Sequence, residues 1–240
     1  MEQQRKDDFL SMASHELKTP ITTLRAFLQL FSSSDGPEVI VPKKHLKKMA
    51  DQVDRLTRLV GDLLEVSKIQ RGQIEFADEP IEIETLVHEV VASARGGHTT
   101  HHFLLQGSVD AKVRGDRARL GQALTELLNN AVKFSPGSDH IEVNLSTTDD
   151  MVHVVVRDHG IGMNAEDQER IFERYYRVLT DPTRPFPGLG VGLYIVSEII
   201  RHHHGSIAVS SAPGEGSAFT LALPLVKEGS RNNSGNLNDQ

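Results

Sequence analysis

The stretch from Leu10 to Phe31, LSMASHELKTPITTLRAFLQLF, decides how the first part of the chain is read. Leu10, Leu17, Leu24 and Phe31 recur every seven residues, and Ser14, Ile21 and Leu28 fall four after each of the first three. That 4-3 alternation is a heptad seam, the pattern by which one α-helix packs along another. Ser32-Ser33-Ser34-Asp35-Gly36-Pro37 breaks it, because Gly, Pro and short polar residues end helices. A second seam runs through Leu46, Met49, Val53, Leu56, Val60 and Leu63, with Lys43, Lys44, Lys47, Lys48, Asp51 and Asp54 on the opposite face. Two such helices joined by a polar turn form an antiparallel hairpin. A lone hairpin cannot bury both seams, whereas two copies packed as a four-helix bundle can. Residues 1–70 therefore predict an all-α hairpin and, through it, a homodimer.

The chain as a whole has 240 residues, 26 Lys+Arg against 33 Asp+Glu, a formal net charge of −7, and neither Cys nor Trp. Without cysteine there are no disulfides, thiolate metal sites or Cys nucleophiles. No apolar run approaches the ~20 residues of a membrane span, and nothing resembles a signal peptide, so no membrane contact is expected of this segment. Residues 1–80 carry 12 basic and 13 acidic groups, and residues 81–240 carry 14 and 20. Neither half is basic, which argues against nucleic acid as a partner.

Residues 71–80, with Gly72 and Pro80 among mixed charges, read as a linker. Residues 81–226 change to an α+β texture that predicts a two-layer sandwich, long enough for its own core. Short strands are expected at Ile81–Ile83, His102–Leu105 and Lys112–Arg114, with a helix near Glu84–Ala94. Asp116 is placed to cap a helix running to about Phe134. Ile141–Leu145 and Val152–Val156 read as strands, Leu193–His203 as a helix, and Ile207–Ser210 with Phe219–Leu223 as a hairpin around Pro213–Gly216. From 227 to 240 the chain has almost nothing to bury and is expected to be a disordered tail.

Three groups of residues are suited to chemistry. His15 lies about 200° around the helix from Leu17, so it points away from the seam. An exposed imidazole beside a carboxylate, here Glu16, is available as a nucleophile near neutral pH. Pro20 inside the same apolar-periodic helix costs about 3 kcal/mol of regular helix. Taken alone, His15 reads first as a solvated histidine on a kinked helix. Glu126 and Asn130, four apart, with Lys133 three further on, put a carboxylate, an amide and an ammonium on one stripe. That set suits a Mg²⁺-bound polyphosphate, or simply a polar surface. Two glycine clusters, Asp158-His159-Gly160-Ile161-Gly162 and Gly188-Leu189-Gly190-Val191-Gly192-Leu193, match neither a P-loop nor a Rossmann fingerprint. The long connection between Gly162 and Gly188 is of the kind that forms a lid or binding loop.

The order of these pieces resembles the sensor histidine kinases of bacterial two-component signalling, over about Asp8 to Leu225. Ser14-His15-Glu16-Leu17-Lys18-Thr19-Pro20 is similar to the family's H box, Glu126 to Lys133 to its N box, and Asp158 to Gly162 to its first glycine box. Ile171-Phe172-Glu173-Arg174-Tyr175-Tyr176 is similar to its F box, Gly188 to Leu193 to its second glycine box, and Gly214 to Phe219 to its closing glycine turn. The resemblance implies a dimeric phosphoacceptor hairpin followed by a gyrase/Hsp90-type domain that binds ATP with Mg²⁺. It implies that His15 attacks the γ-phosphorus, that Glu16 orients the imidazole and accepts its proton, and that Thr19 supports dephosphorylation of the partner. Asn130 would hold Mg²⁺ with Glu126 near the metal, and Lys133 would contact phosphate beside Phe134. Asp158 would accept from the adenine amino group, with Gly160 and Gly162 giving the base room. Gly188, Gly190, Gly192 and Leu193 would line the phosphates, and Phe172 would anchor the lid.

The implied partner is a response-regulator receiver domain docked near His15, with Arg25 and Gln29 close by. The charge-rich start, Glu2 to Asp8, reads as a signalling helix entering from something upstream; with the upstream sensor domain missing from this chain, the expectation is either a piece of a longer sensor or a short kinase controlled by another protein. The expected location is the cytoplasm, as part of a larger membrane-associated sensor. Two other readings stand beside this one: a gyrase/Hsp90-type ATPase with Glu126 activating water, and a degenerate kinase serving as a scaffold. The run His202-His203-His204 does not make a metal site by itself, since adjacent helical side chains diverge by about 100°.

Overall fold

The computed structural model describes residues 2–33, 39–98, 100–178, 186 and 188–226. The expected tail at 227–240, the centre of the Ser32–Pro37 turn, and residues 179–185 and 187 of the Gly162–Gly188 connection lie outside the described residues.

The predicted hairpin is formed by α1 (Glu2–Ser32) and α2 (Lys43–Gln70), which pack along each other. α1 runs through Pro20 as one helix. Around the proline, the Thr19, Thr22 and Thr23 hydroxyls donate to the carbonyls of His15, Lys18 and Thr19 one turn back. α2 ends where Gly72 takes φ +62°. There the Gly72 N–H donates to the Ile69 carbonyl and the Gln73 N–H to the Lys68 carbonyl, both at 3.0 Å. This pair of bonds satisfies the last helical carbonyls and needs a left-handed residue between them. Phe9, Ala13, Leu59 and Val66 are buried. Leu10, Ile21, Leu28, Leu46, Val53, Val60 and Leu64 are left 46% to 57% exposed, an apolar stripe that this single chain does not cover.

The second domain contains β1 (Glu79–Glu82), α3 (Ile83–Gly97), β2 (His102–Gln106), β3 (Lys112–Gly115), α4 (Arg117–Phe134), β4 (His140–Thr147) and β5 (Met151–Asp158), followed by α5 (Ala165–Arg170), α6 (Gly192–His202), β6 (Ser206–Ala212) and β7 (Gly216–Pro224). Five strands form one sheet in the order β2-β4-β5-β7-β6, with β2 and β4 parallel and the remaining pairs antiparallel. Alternation places Ile141, Val143, Leu145, Val152, Val154, Val156, Leu221 and Leu223 on its buried face. Against it lie Leu124, Leu127 and Leu128 of α4 with Ile195, Ile199 and Ile200 of α6. Each such side chain removed from water stabilises by about 1.5–3 kcal/mol. The result is the two-layer α+β sandwich that the pattern predicts.

Two boundaries differ from expectation. The 71–80 linker overlaps β1, which begins at Glu79 and pairs with β3 as a separate two-stranded ribbon, while Ile83 already belongs to α3. Pro80 is tolerated because the ribbon leaves an edge on which a missing N–H is harmless. The start of α3 was not legible because Glu82, at its N-cap, makes no side-chain capping bond. The Gly162–Gly188 connection is also not wholly irregular, since α5 occupies Ala165–Arg170 with Asn164 as cap.

Asp116 caps α4 as predicted, accepting from the Arg119 N–H at 3.0 Å. Its own N–H donates to Nε2 of buried His203 at 2.8 Å, and His203 Nδ1 bonds the Ile199 carbonyl at 2.7 Å. The middle histidine of the His202–His204 run thereby joins the start of α4 to the end of α6.

Candidate functional site

A cavity of about 400 Å³ lies between α4, the start of α6 and the end of β5, and α2 of the hairpin closes one side of it. Helical spacing brings Glu126, Asn130 and Lys133 of α4 to its wall together with Phe134. Facing them are Gly188, Gly190, Gly192 and Leu193 at the start of α6, and Asp158 and Gly162 at the sheet end.

Asp158 is only 3% exposed. Its Oδ1 accepts the Gly160 N–H at 2.9 Å, the Ser217 N–H at 3.3 Å and the Ser135 hydroxyl at 3.4 Å. Burial pushes the carboxyl above its ordinary pKa, against these three bonds. Among the described residues no donor reaches Oδ2, which leaves that oxygen for an N–H donor within the cavity. The loop that follows is tightly packed: a side chain at Gly162, where φ is +63°, would meet the Ala212 carbonyl oxygen at 1.9 Å.

At the other end, Val191 precedes α6 without a side-chain cap. The first N–H groups of this helix are therefore open to an anion, and the helix dipole favours one there. Burial, reinforced by Arg177, pushes Lys133 down to about 8. Burial raises Glu126, with Arg58 and Lys133 opposing. Across the cavity on α2, Asp62 is pushed up to about 7, by burial first and then by Glu126. The cavity thus pairs an acceptor for a polar ring at one end with a cationic, helix-terminal pocket at the other.

The hairpin is docked on this domain through specific contacts. Glu65 of α2 accepts from Arg119 and, at 2.6 Å, from Gln122 of α4. The Phe9 and Tyr175 rings lie 4.0 Å apart, and Gln70 donates to the Tyr175 hydroxyl at 3.3 Å.

The remaining expected site residues lie elsewhere. His15 is exposed on α1 in a groove with Lys18, Thr19, Thr22, Thr23 and Phe27, and does not line the cavity. Glu16 is ion-paired with Arg55 of α2 at 2.6 Å, and the Thr19 hydroxyl donates to the His15 carbonyl at 3.1 Å. Gly160 and Phe172 stand outside the wall: Gly160 holds Asp158, and Phe172 packs edge-on against Phe219, which lines the cavity. Sequence reasoning missed Arg55, Arg58 and Asp62, which line the cavity from α2. Periodicity assigns them only to a polar helix face, and no local pattern says what docks there.

Two family models match the chain. One describes the His Kinase A (phospho-acceptor) domain and covers residues 5–72; the other describes the histidine kinase-, DNA gyrase B- and HSP90-like ATPase and covers residues 115–227. The sensor-like histidine kinase SenX3 of Mycolicibacterium smegmatis is 32% identical over 227 residues, spanning 93% of this chain and 58% of that protein. The sensor histidine kinase WalK of Bacillus subtilis is 30% identical over 232 residues, spanning 95% of this chain and 38% of that one. The chain thus spans about half the length of these relatives. Among solved structures, the Acinetobacter baumannii histidine kinase AdeS aligns over 89% of this chain and 98% of its own, with a TM-score of 0.64 and 26% identity. Histidine kinase ThkA, solved in complex with response regulator protein TrrA, shares the fold with a TM-score of 0.65 over 94% of this chain and 65% of its own, at 22% identity.

Proposed function

The chain belongs to the sensor histidine kinases, whose phosphoacceptor and ATPase domains it carries in order, and from that premise we propose that it is an ATP-dependent protein-histidine kinase of a two-component system. One observation carries the proposal. The same chain holds an exposed imidazole on a helical hairpin and a cavity with a ring acceptor, Asp158, at one end and an uncapped helix N-terminus with Lys133 at the other.

In this reading Asp158 accepts from the adenine amino group, while Lys133 and the α6 N–H groups hold the phosphates. A Mg²⁺ site fits the donors present. That ion keeps several waters and needs few protein oxygens, and Asn130 with Glu126 supplies two, one turn apart. When bound there, Mg²⁺ supplies neutralisation of the polyphosphate charge.

A ring nitrogen of His15 forms the new N–P bond as the bond from the γ-phosphorus to its bridging oxygen breaks and ADP leaves. The imidazole proton passes to Glu16. Positioning and charge neutralisation carry most of such a transfer. His15 then passes the phosphoryl group to an Asp of a response-regulator receiver domain, and Thr19 assists its later removal. Because His15 does not line the cavity in the docked arrangement, transfer requires a second arrangement that brings the phosphates to His15 of the same or the partner hairpin. The uncovered Leu10–Leu64 stripe is the dimer contact in this reading. Among the described residues no helix is long and apolar enough to cross a membrane, and a cytoplasmic placement completes the proposal.

Incubation with γ-labelled ATP and Mg²⁺, wild type beside His15→Gln, tests it. The expected label is acid-labile, alkali-stable and absent from the variant. Free phosphate released equally by both proteins, without label, overturns the kinase reading in favour of an ATPase.

A further inference from the structure

Arg58 belongs to the hairpin, on α2, yet it lines the cavity built by the other domain. The cavity's other two arginines are engaged, Arg55 with Glu16 and Arg177 with the Phe186 carbonyl, both at 2.6 Å. Arg58 makes no hydrogen bond or ion pair among the described residues. Its charge still reaches the cavity, where it opposes the effect of burial on Asp62 and Glu126. A guanidinium has five donors in a planar fork matched to phosphate oxygens. Arg58 feels the carboxylates of Asp62 and Glu126 only at a distance, so its donors stay open to an anion within the cavity.

We infer that Arg58 is a phosphate ligand lent by the hairpin to the nucleotide site, so that a bound polyphosphate bridges α2 to the ATP-binding domain. The inference rests on the nucleotide-binding reading above and extends it. The Glu65 contacts with Arg119 and Gln122 hold the same two surfaces together without a ligand. By thermodynamic reciprocity, a ligand that touches both sides strengthens the docking by as much as the docking strengthens the ligand. Docking and His15 phosphorylation exclude each other in this arrangement, since His15 faces a different groove. Di- and triphosphates therefore favour the docked state, and adenosine, lacking phosphates, is indifferent to it.

Calorimetric titration of the whole chain with adenosine, ADP and ATP, comparing wild type, Arg58→Ala and Arg58→Lys, tests this. Arg58→Ala is expected to weaken ADP and ATP about tenfold, the scale of one charge-assisted hydrogen bond. Adenosine affinity stays within about twofold, because the lost bond goes only to phosphate. Arg58→Lys falls between, because an ammonium keeps the charge but not the fork. The ligand-free melting temperature shifts little, since no hydrogen bond or ion pair is lost and only the electrostatic effect on Asp62 and Glu126 is removed. Equal ADP affinity in wild type and Arg58→Ala overturns the inference and leaves the kinase reading standing. A parallel loss of adenosine also overturns it, as a sign of a distorted site. A wild-type chain that binds none of the three removes the nucleotide reading and this inference with it.

Discussion

Replacing Asp158 by Asn changes one atom of the cavity wall and should reverse its hydrogen-bonding polarity. All three bonds to the carboxylate end on Oδ1, from Gly160, Ser217 and Ser135. In the variant these donors keep the amide oxygen on their side. The amide NH₂ therefore takes the place of Oδ2 and, in the proposed reading, points a donor at the adenine amino group, itself a donor. The loss combines a charge-assisted hydrogen bond, about 1.5–3 kcal/mol, with an unsatisfied donor, about 1–3 kcal/mol. A loss of about 3 kcal/mol or more is thus expected, a hundredfold or greater drop in adenosine affinity. Inosine, with a carbonyl at that ring position, should lose far less and become the preferred ligand. Folding should not suffer. Burial raises the folded pKa of Asp158 above 3.8, so its stabilising contribution is complete below that unfolded value and is lost as pH rises through the folded one. The uncharged Asn escapes that loss. The variant should melt at or above the wild-type temperature at neutral pH, and the difference should close as pH falls toward 3.8. Calorimetric titration with adenosine and inosine, beside melting curves, reads both quantities. An Asn variant that binds adenosine as tightly as wild type would refute Asp158 as the group that reads the base.

Three further outcomes are expected. Val53→Glu with Val60→Glu places charges in the uncovered stripe, where the two valines are 50% and 46% exposed; sedimentation should show the dimer falling to monomer while the second domain keeps its melting transition. Thr19→Ala removes a hydroxyl beside His15, so receiver dephosphorylation should slow at least severalfold while His15 labelling persists; unchanged dephosphorylation excludes Thr19 from that step. Asp62, raised from 3.8 to about 7, contributes stability below pH 3.8 that is lost as pH rises through about 7. Asp62→Asn should therefore raise the melting temperature above pH 7 and leave it unchanged below pH 4, as a pH series of melting curves would read.

What the sequence discloses depends on whether the cause is local. The hairpin was legible because heptads repeat, and α4 because Asp116 is a capping residue followed by an amphipathic stripe. α5 escaped notice because six residues, Ala165–Arg170, contain too little periodicity to register. The β1–α3 junction escaped because it lacks a capping side chain. Asp158 could be given its role only through the family resemblance, and the Glu126–Asn130–Lys133 stripe suggested a metal-bound polyphosphate without excluding a polar face. The contribution of Arg58 and Asp62 to the cavity was beyond any local reading. It follows from α2 docking on a helix dozens of residues away, through Glu65 and Arg119.

His203 has a mechanical consequence. α4 and α6 lie side by side and are pinned where α4 begins and α6 ends, through Asp116 and Ile199. At their opposite ends they flank the cavity, where Gly192 lies close to Glu126. The two helices are therefore the jaws of a pair of tongs with a histidine rivet. The 11 residues of α6 make a lever of about 16 Å, so a turn of about 5° at the rivet shifts the jaw tip by about 1.4 Å. That distance is enough to make or lose a hydrogen bond to a phosphate oxygen. If the cavity holds a polyphosphate as proposed, a substitution at His203 should therefore loosen its grip without altering a residue of the cavity wall.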